Sequence, residues 1–270
     1  MTTGSRSAGT LGITLFNVQN SAPERARKQA AWLDGRPHSD VLVLTEVGSG
    51  PGSDALVGEL TERGFAHWHA PRPAARDYRT VLATRNTPME PVPGGLGPLS
   101  HRGPAARIYP ADGTPLGLWG LYVPSRGSRE RRNVDKRAFQ QAVRDALPAL
   151  LHGFAADPVV VTGDLNVVEP DHEPAHRVFG GWEYDFYRAF GQAGLTDAVR
   201  RFAATAPGHS WYSRTGNGFR FDHAFANAPD RLVSCAYDHT PRRLKLSDHA
   251  CLALRIDVTH PLHTAEGSTS

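Results

Sequence analysis

Short apolar runs alternate with amphipathic stretches along most of this chain. Residues 12–18 form a strand candidate, and 23–33 carry helix formers after Ser21. Asp40-Val-Leu-Val-Leu-Thr-Glu46 is a short apolar strand that ends in an acid. Residues 53–63 read as a helix, and 80–84 and 116–123 as strands. The longest helical pattern runs over 133–151, where Val134, Ala138, Phe139, Ala142, Val143, Ala146 and Leu150 fall on one face. A strand from Val159, a Pro- and Gly-punctuated loop over 169–181 and a helical pair over 184–202 follow. Strand candidates at 219–226, 232–237 and 250–258 close the pattern. No internal repeat, domain-type linker or low-complexity block breaks the alternation. A single α/β domain over 11–260 is the economical reading, between a flexible leader, 1–10, and a polar tail, 261–270.

Composition adds modest constraints. The 270 residues can bury a generous core, and 40% hydrophobic with 21% charged residues is ordinary for a globular protein. No window approaches ~20 uninterrupted apolar residues, so no membrane span is expected. The first ten residues lack an apolar core of the kind a secretory signal needs, which points to a cytoplasmic protein. Cys235 and Cys251 both sit in strand-like segments and read as buried thiols, with a single disulfide as the alternative. The net charge is +3, and lysine occurs only at positions 28, 136 and 245, so arginine supplies nearly all the positive charge. Its planar fork suits phosphate oxygens, although a GC-rich genome would give the same bias.

Polar residues stand where the strands end. Asn17 closes the first and Glu46 the second, and Tyr122 lies near the end of the strand over 116–123. Pro158-Val-Val-Val-Thr-Gly-Asp164-Leu-Asn166 runs a strand straight into an aspartate and an asparagine. Asp222 follows Phe219-Arg-Phe, and Leu246-Ser247-Asp248-His249 opens the last apolar run. Gathered on one rim, these ends form an acidic pocket with one imidazole. Such a pocket suits Mg2+, which takes one or two carboxylates and keeps water and substrate phosphate as its other ligands. Attack on a phosphodiester needs an activated water, charge neutralisation on the phosphate oxygens and help for the departing alkoxide; a base, a metal and an imidazolium supply them. Any one of these residues alone is more often a cap or a satisfied surface group.

From Leu15-Phe-Asn17 to Asp248-His249 the pattern resembles the endonuclease/exonuclease/phosphatase superfamily, and most of all its exonuclease III and apurinic/apyrimidinic endonuclease branch. The resemblance implies a four-layer α/β sandwich, two mixed sheets face to face with helices outside. It implies that Asn17, Glu46 and Asp248 hold Mg2+, which Mn2+ can replace, with Glu46 the chief ligand. It gives Asp164 the attacking water, Asn166 the phosphate or nucleophile, and Tyr122 a phosphate oxygen. His249, buttressed by Asp222, would meet the growing negative charge. Three positions depart from the pattern: Thr45 where glutamine is frequent, Gln19 where some relatives carry an acid or Asn, and His223 where an aromatic is frequent.

Leu121-Tyr122-Val-Pro124 resembles the DNA-repair nucleases, whereas phosphatase, sphingomyelinase and deadenylase relatives usually carry Thr-His at that strand. His209-Ser-Trp211-Tyr-Ser-Arg-Thr-Gly-Asn-Gly218-Phe-Arg-Phe-Asp222 points the same way. Trp211 and Phe219 are either a flat wall for a flipped sugar or base, or core aromatics. Arg126, Arg129, Arg131 and Arg132 follow Tyr122 and are candidates to track a nucleic-acid backbone, or form a solvated face. Asp171, His172, Glu173 and His176 have zinc-like spacing, but Pro170 and Pro174 break the helix it needs. The expectation is a Mg2+-dependent DNA nuclease acting at 3′ ends, abasic sites or both, with no membrane and no obligate protein partner. The alternatives are a phosphatase or phosphodiesterase on a small or lipid-like phosphoester, and a non-catalytic module, which would have lost some of Glu46, Asp164, Asn166 and His249.

Overall fold

In the computed structural model, residues 9–259 are described, apart from 37, 75, 112, 127–129, 205–207 and the side chains of 130–132. The chain runs β1 (Thr10–Asn17), α1 (Pro23–Asp34), β2 (Val41–Val47), α2 (Pro51–Glu62), β3 (His67–His69), β4 (Arg79–Thr84), β5 (Met89–Val92), β6 (Ala105–Ile108) and β7 (Leu116–Tyr122). It continues with α3 (Glu130–Gly153), β8 (Val159–Asp164), α4 (Gly181–Gln192), β9 (Thr196–Asp197), α5 (Ala198–Phe202), β10 (Trp211–Tyr212), β11 (Gly218–Phe219), β12 (Asp222–Ala226), β13 (Leu232–Asp238), α6 (Thr240–Arg243) and β14 (Cys251–Asp257).

Two six-stranded sheets form, in the orders β13-β14-β1-β2-β4-β3 and β5-β6-β7-β8-β12-β9, with β10 and β11 as a separate hairpin. Both sheets are mixed: β1 with β2 and β7 with β8 are parallel, and the other pairs antiparallel. Successive side chains on a strand point to opposite faces, and both faces here are covered. Ile13, Leu15, Val41 and Val43 therefore face the second sheet, against Leu116, Leu118, Val160 and Ala224. Phe16, Leu42 and Leu44 face outward under Ala30, Leu33, Leu56 and Leu60 of α1 and α2. On the far side, Trp119, Leu121, Val159 and Val161 lie under Phe139, Val143, Leu147, Phe186 and Phe190 of α3 and α4. The result is the expected four-layer α/β sandwich.

The details differ in places. β1 begins at Thr10, paired with Asp257, so the end of the expected leader lies in the sheet. Residues 1–8, and the polar tail expected over 261–270, lie outside the described residues. The strand expected over 219–226 is interrupted at Arg220 and Phe221. Arg220 turns inward, fully buried, to donate to Glu169, Asp197 and the Tyr187 hydroxyl. Cys235 and Cys251 are buried and free, and burial pushes the Cys251 thiol up to about 12.

Candidate active site

Three neighbouring strands deliver a row of polar groups. In the ladder Tyr122 of β7 pairs with Asp164 of β8, and Asp164 pairs with Asp222 of β12. Gly163 sets the spacing, because a Cβ there would lie 2.0 Å from the Leu121 carbonyl oxygen. The other sheet brings Asn17 at the end of β1 and Glu46 near the end of β2. The β2–β4 register shifts between Leu44 and Val47, and Glu46 takes φ 53° within that irregularity. A bulge re-aims a side chain at a modest strain cost, and here it turns the acid toward a cavity. Asn166, at φ 49°, makes a second such turn after β8.

Asp164 is fully buried. Its Oδ2 accepts from Asn17 Nδ2 at 2.9 Å and its Oδ1 from the Asn166 amide at 3.0 Å. Burial, with Asp222 and Glu46 close by, pushes its pKa up to about 8, against the pull of His249. His249 Nδ1 lies 2.7 Å from Asp222 Oδ2, and its Nε2 lies 4.0 Å from Asp164 Oδ2. Burial works against the imidazolium, but the Asp222 carboxylate, aided by Asp164 and Asp248, outweighs it and holds the pKa near 10. His249 is therefore a cation at neutral pH. Ser247 supports this arrangement: its hydroxyl donates to the Asn17 carbonyl at 2.7 Å and accepts from the His249 amide at 3.1 Å.

Part of the expected set lines a cavity of about 400 Å³. Glu46, Asn166, Asp248 and His249 line it together with Val178, Phe179, Trp211, Phe219 and Phe221. Trp211 and Phe219 are half-buried on this wall and absent from the core. The Trp211 indole donates to Asp248 Oδ2 at 2.9 Å, and Phe219 stacks on His176 at 3.9 Å. The Tyr122 hydroxyl donates to Glu46 Oε1 at 3.0 Å, while the Arg102 guanidinium sits 4.8 Å above its ring. Burial and the Glu46 carboxylate push the phenol well above its ordinary range. Asn166 Nδ2 donates to the Val123 carbonyl. The Asn17 amide is engaged at both ends, by Asp164 and by the Gln19 backbone. Gln19 itself turns away to accept from Arg25 at 3.0 Å.

Arg126 lines the cavity, yet its guanidinium donates to Glu183 Oε2 at 2.7 Å and to the Val178 carbonyl. Arg129 and the side chains of Arg131 and Arg132 lie outside the described residues. The other oxygen of Glu183 binds the fully buried Lys136 ammonium at 2.6 Å, which also donates to the Asn166 carbonyl at 2.6 Å. This network ties the aromatic wall to the Asn166 turn. Sequence patterns gave no sign of it, nor of Phe179 and Arg102. Phe221 was in reach, two residues from Phe219 and on the same face. His172 and His176 each place Nε2 on the Gly218 carbonyl, at 3.2 and 2.8 Å, and support the wall from behind. His223, fully buried, bonds the Val167 carbonyl at 2.8 Å as a packing residue.

Asp164, Asp222 and Asp248 thus surround His249, with Glu46 close to Asp164. His249 pairs with Asp222 at 2.7 Å and with Asp164 at 4.0 Å, and among the described residues no other cation lies within ion-pair distance of those two. Asp164, Asp222 and His249 bring ligand atoms within 4.8 Å of one another. The imidazole is already committed to Asp222, however, so those three form a proton-holding unit rather than a cage. The carboxylates facing the cavity, Glu46 and Asp248, are the hard oxygen donors a divalent cation takes, and the excess negative charge around Asp164 is what such a cation relieves.

No curated protein matches the sequence at a significant level. Solved structures do match the fold. An AP endonuclease from Archaeoglobus fulgidus is 23% identical with a TM-score of 0.74, over 92% of this chain and 100% of that one. A 3'-5' exonuclease from Neisseria meningitidis is 19% identical with a TM-score of 0.75, again over 92% and 100%. A 3' phosphatase from Neisseria, bound to product DNA hairpin, is 21% identical with a TM-score of 0.75, over 92% and 99%. These likenesses concern the fold. The model of the Endonuclease/Exonuclease/phosphatase family matches residues 14–249, a span that takes in every polar residue of the strand-end site. The chain belongs to that family, whose members are metal-dependent hydrolases of phosphoesters.

Proposed function

We propose that this protein hydrolyses phosphodiester bonds of DNA with Mg2+, or Mn2+ in its place, at 3′ ends, at abasic sites or at both. The observation that carries the reading is the joining of two features in one cavity. His249, paired with Asp222 and backed by the buried Asp164, lines the same cavity as the aromatic side chains Trp211, Phe219 and Phe221. Glu46 and Asp248 would hold the cation, with Asn17 acting through Asp164. When bound, the cation neutralises charge on the phosphate oxygens and the leaving oxygen.

The remaining chemistry falls to the chain's own residues. The Asp164 carboxylate, a form that its raised pKa of about 8 favours on the alkaline side of neutrality, takes the proton of a water that attacks phosphorus, and the bond to the leaving ester oxygen breaks. His249, kept charged by Asp222, donates to a non-bridging oxygen as charge builds there. Tyr122 holds Glu46 in place, and Asn166 positions the phosphate or water. Trp211, Phe219 and Phe221 offer faces on which a sugar or base can pack. Arg126 serves the substrate indirectly, by fixing Val178 and hence the wall.

Incubation with Mg2+ and labelled oligonucleotides tests the reading: an intact duplex, an abasic duplex, a 3′-phosphate duplex and a single strand. Cleavage of the intact or abasic duplex supports it. Release of phosphate from the 3′-phosphate duplex alone would favour the phosphatase reading, which the fold likeness to a 3' phosphatase bound to product DNA hairpin brings forward. Turnover of small phosphoesters with no DNA cut would overturn it.

A further inference from the structure

The turn that joins β13 to β14 borders the active site without entering the cavity. Its base is fixed: Pro241 and Leu246 are buried, and the Leu246 amide donates to the Pro241 carbonyl at 2.8 Å. Between them Arg243, Leu244 and Lys245 are exposed, and Lys245 takes φ 55° to close the turn. Leu244 is 58% exposed, the most of any large hydrophobic among the described residues. The segment 239–247 carries three full cations and no acid. Arg242 bolts the turn to the site. Its Nε donates to the Asp248 carbonyl at 3.1 Å, and its guanidinium lies 4.1 Å over the ring of Tyr212, next to Trp211 of the aromatic wall. Arg214 is exposed in the β10–β11 turn.

A single exposed leucine is ordinary on a protein surface. An exposed leucine between two cations that make no ion pair among the described residues, Arg243 donating to the Thr240 hydroxyl at 2.7 Å, is a different object beside a phosphoester site. Cations pair with backbone phosphates, and a leucine that would be costly among them on a protein partner is an apolar wedge against stacked bases. We infer that this turn grips duplex DNA beside the scissile phosphate, with Arg243 and Lys245 on backbone phosphates and Leu244 against a base step. The inference rests on the DNA-hydrolase reading of the site and adds the element that holds the duplex. It makes the substrate a helix with stacked neighbours rather than a mononucleotide.

Two variants test it, Leu244→Ser and the double change Arg243→Gln with Lys245→Gln; all three positions are exposed, and thermal melts confirm folding. Anisotropy of a labelled duplex in chelator, titrated with salt, reads the phosphate contacts. The double variant should flatten the slope of log affinity against log salt by about 2, at roughly 0.9 per lost contact. It should raise KM on duplex several-fold with kcat unchanged. Leu244→Ser should remove the fluorescence rise that wild type induces in a base analogue next to the cut site. Hydrolysis of a bis(nitrophenyl) phosphate should not change in either variant. Wild-type slope, KM and fluorescence in both variants, with DNA still cut, would overturn this inference and leave the site reading standing. A wild-type protein that turns over the small ester and cuts no DNA would overturn the site reading and the inference together.

Discussion

His249 and Asp222 act as one group: Asp222 keeps a proton on an imidazole that burial would otherwise strip. Asp164→Asn and His249→Ala should each lower kcat by ~10²–10⁴-fold with DNA affinity nearly intact, because both act chiefly in the transition state. Asp222→Asn should be milder and add little to His249→Ala. Kinetics of the single and double variants check this, and independent multiplication would place Asp222 outside the dyad. The same residues set a pH dependence. The pKa of His249 is raised in the fold from 6.5 to about 10, so its stabilisation is complete below 6.5 and lost as the pH rises through 10. That of Asp164 is raised from 3.8 to about 8, so its contribution too is greatest in acid and fades as the pH climbs through 8. A divalent cation offsets the resulting excess of negative charge. Melts with and without Mg2+ should therefore show a larger rise in Tm at about pH 9 than at about pH 6. Chelation should abolish activity.

Helices α3 and α4 meet over a buried ion pair, and its removal separates structural from chemical roles. Lys136→Met leaves the buried Glu183 with Arg126 as its remaining counter-charge, which should cost about 3–5 kcal/mol, read as a denaturant midpoint shift. Adding Glu183→Leu should recover much of that stability. If Lys136 positions Asn166, the recovered protein will still show a reduced kcat. At this scale the sequence is unevenly legible. Long helices and central strands show themselves because their apolar periods are set by the layer they cover. β3, His-Trp-His, and β5, which contains Pro91, lie at sheet edges and carry no such period. The pattern over 219–226 reads as one strand, yet Arg220 must reach Glu169 and Asp197 while Phe219 and Phe221 face the cavity. Strand-end acids were legible because their motifs are local. The Lys136–Glu183 contact spans 47 residues and left no local trace.

The whole molecule also answers to acid. His223 is fully buried, and burial, then Arg220, drags its pKa from 6.5 to about 4. A histidine depressed in this way stabilises the fold above 6.5 and costs it as the pH falls toward 4. A shift of that size corresponds to about 3 kcal/mol. His223→Phe should lower stability at neutral pH, through the lost bond to Val167, and yet flatten the loss between neutral pH and about pH 4, as chemical denaturation at each pH will show. The two sheets differ from the loops in a way that reaches beyond stability. Tyr122, Asp164 and Asp222 take their spacing from main-chain ladder bonds and from the missing side chain at Gly163, none of which depends on what the protein acts upon. The aromatic wall and the cationic turn lie outside the two large sheets, on loops and on the short β10–β11 hairpin. Descent can therefore rewrite the loops, residue by residue, and try new phosphoesters while the reaction itself is copied unaltered.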